Sequence, residues 1–287
     1  MRLDAMQLMR LRRRVSSNTL ASIGAVGIVL VVLAAVLAPF IAPYDPNAMQ
    51  TSRRFLGAGA AGHLLGTDEF GRDVLSRIIW GSRVSLLVAG VAVAIATLVG
   101  GLIGVIAGFL GGAFDTVTMR VVDVVFAIPA LMVALGVVGL LGSSATSVMV
   151  ALGVAYSPLF ARVARSAVVG MRDHAFVEAA RAMGASNARI VREDVLPNVL
   201  PIIIVQMTAS LAWGVLDEAS LGFLGLGVQP PTSSWGALLT TGRQFFYQSP
   251  SIPLFAGVAV LVAVFAFNLF GDGLRDLLDP RAWSRAE

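Results

Sequence analysis

The sequence of 287 residues contains no cysteine, and it contains no lysine either, so that all 21 basic residues are arginine. The absence of cysteine excludes a thiol nucleophile, a disulfide and a thiolate metal site. The absence of lysine excludes a Schiff base, and it excludes the phosphate-binding P-loop, whose lysine contacts the nucleotide. The chain therefore carries no ATPase motif of that kind.

Charged side chains are scarce, since they make up 13% of the residues, whereas 57% are hydrophobic. Soluble domains carry about 25% charged residues. Five stretches have no charged residue, and each exceeds the roughly 20 residues that a helix needs to cross a bilayer. These stretches are 15–44, 84–114, 124–161, 195–216 and 244–271. We therefore predict an all-α membrane protein that crosses the lipid bilayer several times.

The stretch 124–161 is too long for one helix, and Gly139, Gly142, Ser143 and Ser144 favour a turn within it. It is expected to hold most of two helices. The prediction is then six transmembrane helices, at 20–42, 84–108, 117–141, 146–168, 199–219 and 252–272.

The distribution of arginine supports six spans and cytoplasmic termini. Six spans with the N-terminus inside leave fifteen arginines inside and six outside, whereas five spans leave seven inside and fourteen outside. Positive residues belong in the cytoplasm, so six spans are favoured. The predicted soluble segments are the basic N-terminus 1–19, the outer loops 43–83 and 220–251, the cytoplasmic loop 169–198 and the tail 273–287. The net charge of +4 then reflects topology and predicts no nucleic-acid partner.

Small residues and prolines predict how the helices pack. Gly100, Gly104 and Gly108 recur every fourth residue on the second span and form a strip that a neighbouring backbone can approach closely. That strip serves either packing within the chain or a dimer face. Pro129 and Pro158 lie inside the third and fourth spans and are expected to bend them.

Two competing functions find little support in the residues. No Asp, Glu or Arg lies near the middle of a predicted span, which disfavours a secondary transporter that couples to protons or ions. A membrane enzyme is disfavoured because the serines near Ser143 have no partner histidine. His63 and His174 lie far apart and are interpreted as loop or interfacial imidazoles, so neither a catalytic nor a metal site is predicted.

The loop 171–198 predicts a helix, a turn and a second helix. Asp173 is the predicted cap of the first helix, Gly184 ends it, Ser186 caps the second, and Pro197 starts the fifth span. An apolar stripe on the first helix comprises Phe176, Ala179, Ala180 and Met183. The stripe is expected either to lie on the lipid headgroups or to insert into a groove on a partner protein.

Six residues of this loop lie at the spacing of a known motif, and they are Glu178, Ala179, Ala180, Gly184, Leu196 and Pro197. They resemble the EAA loop in the membrane subunits of binding-protein-dependent ABC importers, although Asp194 stands where that family has a hydrophobic residue. The segments 65–77, 221–236 and 271–280 are similar to the C-type permease of the dipeptide, oligopeptide and nickel importers. In this subfamily Ser is usual at the position of Gly222, and a small apolar residue is common at that of Asp217. The resemblance covers nearly the whole chain from about residue 18.

This resemblance implies the type I ABC importer permease fold and a non-catalytic subunit of the bacterial cytoplasmic membrane. It implies as partners a homologous permease, an extracytoplasmic solute-binding protein and two ABC ATPase subunits or domains, which carry the ATP and Mg²⁺ while this chain has no cofactor. The loop is then the coupling helix that docks into the ATPase, with Arg181 and Arg189 at the edge of the groove. A di- or oligopeptide is the implied solute, and a nickel complex is the alternative.

The outer loops carry two further patterns. Asp68, Arg72 and Asp73 are close enough to pair across a turn at Gly71, and we interpret them as a solvated structural loop rather than a substrate site. Several glycines beginning at Gly222, followed by two prolines, predict irregular backbone near the membrane. Such backbone requires cover by protein or water and is compatible with a gate or a pathway wall.

Overall fold

The computed structural model describes residues 19–278, so the basic N-terminus up to residue 18 and the tail from residue 279 lie outside the described residues. The helices are α1 (Thr19–Val36), α2 (Ala38–Ile41), α3 (Val74–Leu110), α4 (Gly112–Phe126), α5 (Ala130–Leu141), α6 (Ala145–Val169), α7 (Ala175–Ala182), α8 (Asn187–Ile190), α9 (Leu196–Phe223), α10 (Trp235–Gln244) and α11 (Ser251–Leu278). A π-helical segment, Val191–Val195, joins α8 to α9. No β-strand occurs among these residues.

Within residues 19–278, five helical segments are long and apolar enough to cross a membrane, and there are six if α4 and α5 together form one span. The predicted third span, 117–141, corresponds to α4 and α5, which are bent by 85° at the break between them. The predicted bend at Pro129 is found there, since Pro129 immediately precedes α5. Proline has no N–H to donate and disfavours helical backbone in the residue before it. Pro158 is contained within the continuous helix α6.

Helix α3 begins well before residue 84, where the predicted span starts, so the outer loop is shorter than expected. Its start is determined by Asp73, whose Oδ2 accepts hydrogen bonds from Ser76 N and Ser76 Oγ, both at 2.7 Å. Capping of this kind satisfies backbone donors that have no partner in the first turn. A second departure lies in the predicted loop 220–251, which contains the helix α10.

The centre of the bundle is the contact between α3 and α6, and the glycine strip lies in it. A Cβ added at Gly100 would overlap the carbonyl oxygen of Ser157, and one at Gly104 would overlap that of Ala161. The same line continues at Gly108, where a Cβ would lie 3.1 Å from the carbonyl oxygen of Arg165. The strip therefore serves packing within the chain, which was one of its two predicted roles.

Two main apolar cores surround this contact, and a third, small cluster of Val74, Leu238, Ile252 and Ala256 lies near the start of α3. The larger is formed by α3, α5, α6, α9 and the loop that contains α7, and its largest fully buried side chains are Phe160 and Leu152. The smaller joins α3, α9, α10 and α11 around Trp235 and Phe267. The bundle consequently has two ends that differ in structure, one carrying α7 and the other carrying α10, and these are called the α7 end and the α10 end.

Candidate functional site

The loop at the α7 end begins differently from the prediction. His174, not Asp173, is the N-cap residue of α7, and its side chain makes no capping hydrogen bond. Asp173 is exposed, and its Oδ2 lies 3.5 Å from Arg172 Nε. The reason is that the chain first makes a turn bonded to the end of α6, in which Arg172 N donates to the carbonyl of Val168 at 2.9 Å.

The end of α7 has the predicted geometry. Gly184 has φ +81°, the left-handed conformation that glycine adopts without steric cost. Ala185 N donates to the carbonyl of Ala180 at 3.0 Å, and Gly184 N donates to that of Arg181 at 2.9 Å. These two bonds define the Schellman motif. The predicted cap at Ser186 is also confirmed, since its Oγ accepts from Arg189 N at 3.4 Å.

Helix α7 is attached to the bundle through one face. Val177 and Ala180 are buried and belong to the larger core, together with Phe109 at the end of α3 and Val168 at the end of α6. The predicted stripe placed Ala180 on the outward face and did not include Val177. The spacing of Val177 and Ala180 by three residues was the sequence signal for this inner face.

The opposite face of α7 is apolar and exposed. Phe176 has 41% and Met183 has 81% of its surface exposed, and Ala179 lies between them on the same face. The short helix thus has two apolar faces, and residues 19–278 cover only the inner one. Exposed apolar surface rimmed by polar residues is typical of an interaction site.

Charged residues border this outer face. Glu178 is exposed, and its side chain makes no hydrogen bond or ion pair with any residue in 19–278. Arg181 is also exposed, and its guanidinium carbon lies 5.6 Å from the ring centroid of Phe109. Farther along, Arg189 Nε is 2.9 Å from Glu193 Oε2. The outer face is therefore bordered by the carboxylate of Glu178, which has no partner within residues 19–278. It is also bordered by the guanidinium groups of Arg181 and Arg189, each of which contacts a neighbouring side chain.

The second half of the loop runs directly into a long helix. Val195 is buried in the larger core, and Leu196 and Pro197 form the first turn of α9. Asp194, which departs from the motif, is only partly buried, and its carbonyl accepts from Asn198 Nδ2 at 2.7 Å. The departure is accommodated because Val195, not residue 194, supplies the packing.

At the α10 end, a buried polar network precedes α3. Arg72 Nε lies 2.6 Å from Asp68 Oδ2, and Arg77 Nε lies 3.4 Å from the same oxygen. His63 Nδ1 lies 2.9 Å from Asp73 Oδ1, and all five residues are buried. The predicted pairing of Asp68 with Arg72 is confirmed, but the interpretation as a solvated loop is wrong. Burial of Asp68 is tolerable because Arg72 and Arg77 carry the opposite charge, and Asp73 is satisfied by hydrogen bonds with Ser76 and His63.

Glu69 belongs to this network but is less well matched. Its Oε1 accepts from Arg72 Nη2 at 2.9 Å, whereas its buried Oε2 has no hydrogen-bond partner. Burial and the neighbouring carboxylate of Asp68 raise the pKa of Glu69 above its ordinary value. The folded state thus disfavours the ionised form of this side chain.

Helix α10 is held against α3 by hydrogen bonds. Trp235 N donates to Ser85 Oγ at 3.1 Å, and Trp235 Nε1 donates to the carbonyl of Ile78, also at 3.1 Å. Ser233 Oγ donates to the carbonyl of Arg77 at 2.8 Å. These bonds place the segment before α10 over the first turns of α3.

Three glycines allow α10 and the irregular segment after α9 to approach closely. A Cβ at Gly222 would overlap the backbone of Gly236, and a Cβ at Gly227 would lie 2.6 Å from Gly222 Cα. Thr240 Oγ1 donates to the carbonyl of Gly222. Protein therefore covers the predicted irregular backbone, as such backbone in a membrane requires.

Two adjacent carboxylates, Asp217 and Glu218, lie near the end of α9. Asp217 Oδ2 accepts a hydrogen bond of 2.6 Å from Tyr156 Oη, and Tyr156 lies near the midpoint of α6. Glu218 is completely buried between the helices. Both residues lie where the sequence placed them, near the end of the fifth span, and the hydrogen bond from Tyr156 joins Asp217 to the middle of α6.

Two family models match the chain. One is described as a binding-protein-dependent transport system inner membrane component and matches residues 100–284. The other is the N-terminal transmembrane domain of oligopeptide transport permease C, and it matches residues 7–57.

Relatives at about 40% identity cover most of the chain. A putative peptide transport system permease of Brucella abortus is 42% identical over 269 residues, which are 94% of this chain and 90% of the relative. A probable D,D-dipeptide transport system permease of Escherichia coli K12 is 40% identical over 90% of this chain and 86% of its own. A glutathione transport system permease of Escherichia coli is 37% identical over 94% and 89%.

The fold is similar to a solved structure. An inward-facing MetNI methionine ABC transporter has a chain that superposes with a TM-score of 0.58 and 22% identity, over 71% of this chain and 97% of that one. At this identity the likeness concerns the fold alone. The fold expected for a type I ABC importer permease is therefore confirmed.

Proposed function

This chain belongs to the family of binding-protein-dependent transport system inner membrane components, and we propose that it forms, with a homologous permease, the pathway of an ATP-driven peptide importer. It is an integral membrane protein and a transporter permease subunit. We further propose which solute it carries, which proteins it assembles with and which side of the membrane each end of the bundle faces.

The observation that carries the proposal is the double-faced helix α7. Its inner face, with Val177 and Ala180, is held in the larger core, and its outer face presents Phe176 and Met183. A helix that is fixed on one side and apolar on the other suits insertion into a groove of a partner protein. We assign that partner as the ATPase, with Glu178 and Arg181 contacting the rim of its groove.

The packing of α7 against the bundle also couples its movement to the membrane-spanning helices. Val177 packs in one core with Phe109 of α3 and Val168 of α6, while the chain beyond α8 continues through the π segment into α9. Because packed elements shift together, displacement of α7 by closing ATPases would tilt α3, α6 and α9. The switch of access across the membrane would follow from that tilt.

The solute and the cellular setting follow from the relatives. The similar permeases named above are described by peptide, D,D-dipeptide and glutathione transport, all of which concern short peptides or their derivatives. We therefore propose a short peptide as the solute. The α7 end faces the cytoplasm of a bacterium, the α10 end faces a solute-binding protein, and ATP and Mg²⁺ bind on two ATPase subunits or domains.

The test is copurification of the tagged chain from detergent-solubilised membranes, with bound proteins identified and ATP hydrolysis measured. The variants are wild type, Glu178→Arg, and Asp45→Arg, an equivalent charge reversal at an exposed residue before α3. Wild type and Asp45→Arg are expected to retain a second permease and an ATPase. Glu178→Arg is expected to lose the ATPase while keeping the permease.

Two results would contradict the proposal. Retention of the ATPase by both Glu178→Arg and the double variant Phe176→Asp/Met183→Asp would exclude α7 as the docking helix. Isolation of wild type without any partner, together with transport by the single chain in liposomes, would instead establish a self-contained transporter.

A further inference from the structure

Asp217 is a carboxylate near the end of α9 that residues 19–278 do not fully enclose. Its partner Tyr156 is close to the midpoint of α6, and the side chain of Asp217 is only partly buried. We propose that Asp217, oriented by Tyr156, binds the positively charged amino group of the solute as it passes along the translocation pathway. This inference rests on the proposed function of peptide import.

The hydrogen bonding of Asp217 leaves room for a ligand. Tyr156 Oη donates to Oδ2 at 2.6 Å, and no other hydrogen bond or ion pair to the Asp217 side chain occurs within residues 19–278. A carboxylate accepts about four hydrogen bonds through its two oxygens. An ammonium group brings three donors and a positive charge, which is the complement that this carboxylate lacks.

The surroundings of Asp217 also suit an ammonium group. Trp213 lies one helical turn away on the same face of α9 and is 60% exposed. An indole face attracts cations, and a carboxylate beside it adds the compensating charge. Gln206 continues the same face and is partly buried, its Nε2 donating to Ser210 Oγ at 3.2 Å. The face therefore carries polar and aromatic groups where a lipid-facing helix would carry aliphatic ones.

The partly exposed carboxylate on this face of α9 indicates that water or protein, not lipid, lies against it. A carboxylate in contact with lipid tails is costly, so such residues face a water-filled cavity or another protein. Asp115, by comparison, has its charge matched within the chain by two contacts with Arg165. Asp217 has only the neutral Tyr156, which favours a site that receives its positive charge from a passing solute.

Tyr156 acts here as a positioning residue. It is 6% exposed and packs in the larger core, so its hydroxyl is held in a constant place. Its hydrogen bond fixes Oδ2 and leaves Oδ1 without a hydrogen bond within residues 19–278. Removal of the hydroxyl would leave the charge of Asp217 but release its orientation, so the effect on transport is expected to be smaller than that of removing the charge.

The experiment uses the complete complex that copurifies with the tagged chain, reconstituted in liposomes with its binding protein. The solute is radiolabelled dialanine, and ATP hydrolysis is measured in parallel. Asp217→Asn is expected to lower uptake at limiting peptide at least tenfold, and Tyr156→Phe about threefold, with ATP hydrolysis stimulated by the binding protein as in wild type. The matched control is Asp123→Asn, which removes an exposed carboxylate from α4 and is expected to transport normally.

A second measurement reports accessibility without transport. Because the natural chain has no cysteine, Trp213→Cys introduces a single thiol on it. A water-soluble maleimide is expected to label this thiol in the complex, and saturating dialanine with the binding protein and ATP is expected to slow labelling severalfold. Leu98→Cys, on an exposed face of α3, is the control that peptide should not protect.

Three results would overturn the inference while leaving peptide import intact. The first is normal dialanine uptake by Asp217→Asn, and the second is the absence of maleimide labelling at Trp213→Cys. The third is loss of the partner permease from the Asp217→Asn complex, which would assign Asp217 to a contact between the two permeases. Failure of the wild-type complex to transport any peptide would instead contradict the proposed function.

Discussion

Arg165 and Asp115 form a two-point ion pair between α6 and α4, with Nε to Oδ1 at 2.5 Å and Nη2 to Oδ2 at 2.6 Å. The pair joins residues 50 positions apart and lies where the glycine strip of α3 ends against α6. It therefore connects α4 to α6 beside the end of α3. Arginine suits this position because its planar guanidinium matches a carboxylate at two points.

Removing one partner of this pair is expected to destabilise the protein. Asp115→Asn should lower the stability by about 1 to 2 kcal/mol, a moderate value because the Arg165 side chain is 37% exposed and solvent screens its charge. Thermal unfolding in detergent measures the effect. The double variant Asp115→Asn/Arg165→Gln should cost less than the sum of the two single variants. Strict additivity would show that the two side chains do not interact.

The glycine strip predicts a sharp difference between neighbouring positions. Gly104→Ala should destabilise the protein by about 1 to 3 kcal/mol, because the new methyl group overlaps the backbone of α6 at Ala161. Gly101→Ala is the control, since a Cβ there meets no atom within 4 Å and alanine favours the helix by roughly 0.5 to 1 kcal/mol. Thermal unfolding of both variants tests this. Equal effects would mean that α3 does not contact α6 through Gly104.

The hydroxyl of Ser85 supplies one of the hydrogen bonds that attach α10 to α3. Ser85→Ala would leave the buried N–H of Trp235 without a partner, at a cost of about 1 to 3 kcal/mol. Hydrogen exchange of residues 233–244 should accelerate, while that of α7 should not change. Ser166→Ala, at an exposed position on α6, serves as the control. Unchanged exchange in α10 would show that the other contacts suffice.

Glu69 gives a prediction about pH. Because burial raises its pKa in the folded state, the protonated form favours folding, and this contribution is complete below the ordinary pKa of a glutamate. It is lost as the pH rises through the raised pKa. Glu69→Gln should therefore unfold at a higher temperature than wild type at pH 8 and at nearly the same temperature at pH 4. Parallel melting curves at the two pH values provide the measurement, and a gap that does not change with pH would contradict the assignment.

The sequence alone determined the class of fold and the family. Charge-free stretches longer than a bilayer require helices, because unpaired backbone groups are not tolerated in lipid. Six spans place most arginines on the cytoplasmic side, which favours six spans over five. The loop motif around Glu178, Gly184 and Pro197 indicated the type of permease. Local chemistry was sufficient for the turn at Gly184 and the cap at Ser186, since both depend on residues within one turn.

Only the tertiary structure decided which face of an element is buried and which groups meet. Val177 and Ala180 became the inner face of α7 because the ends of α3 and α6 lie there, and the pattern of apolar residues did not distinguish this face from the stripe with Phe176 and Met183. The proline predicted a bend between α4 and α5, and the structure gave its angle of 85°. The partner of Asp217 is Tyr156, which lies 61 residues earlier in the chain. Such contacts join distant segments, and their geometry depends on how whole helices pack, which local sequence does not encode.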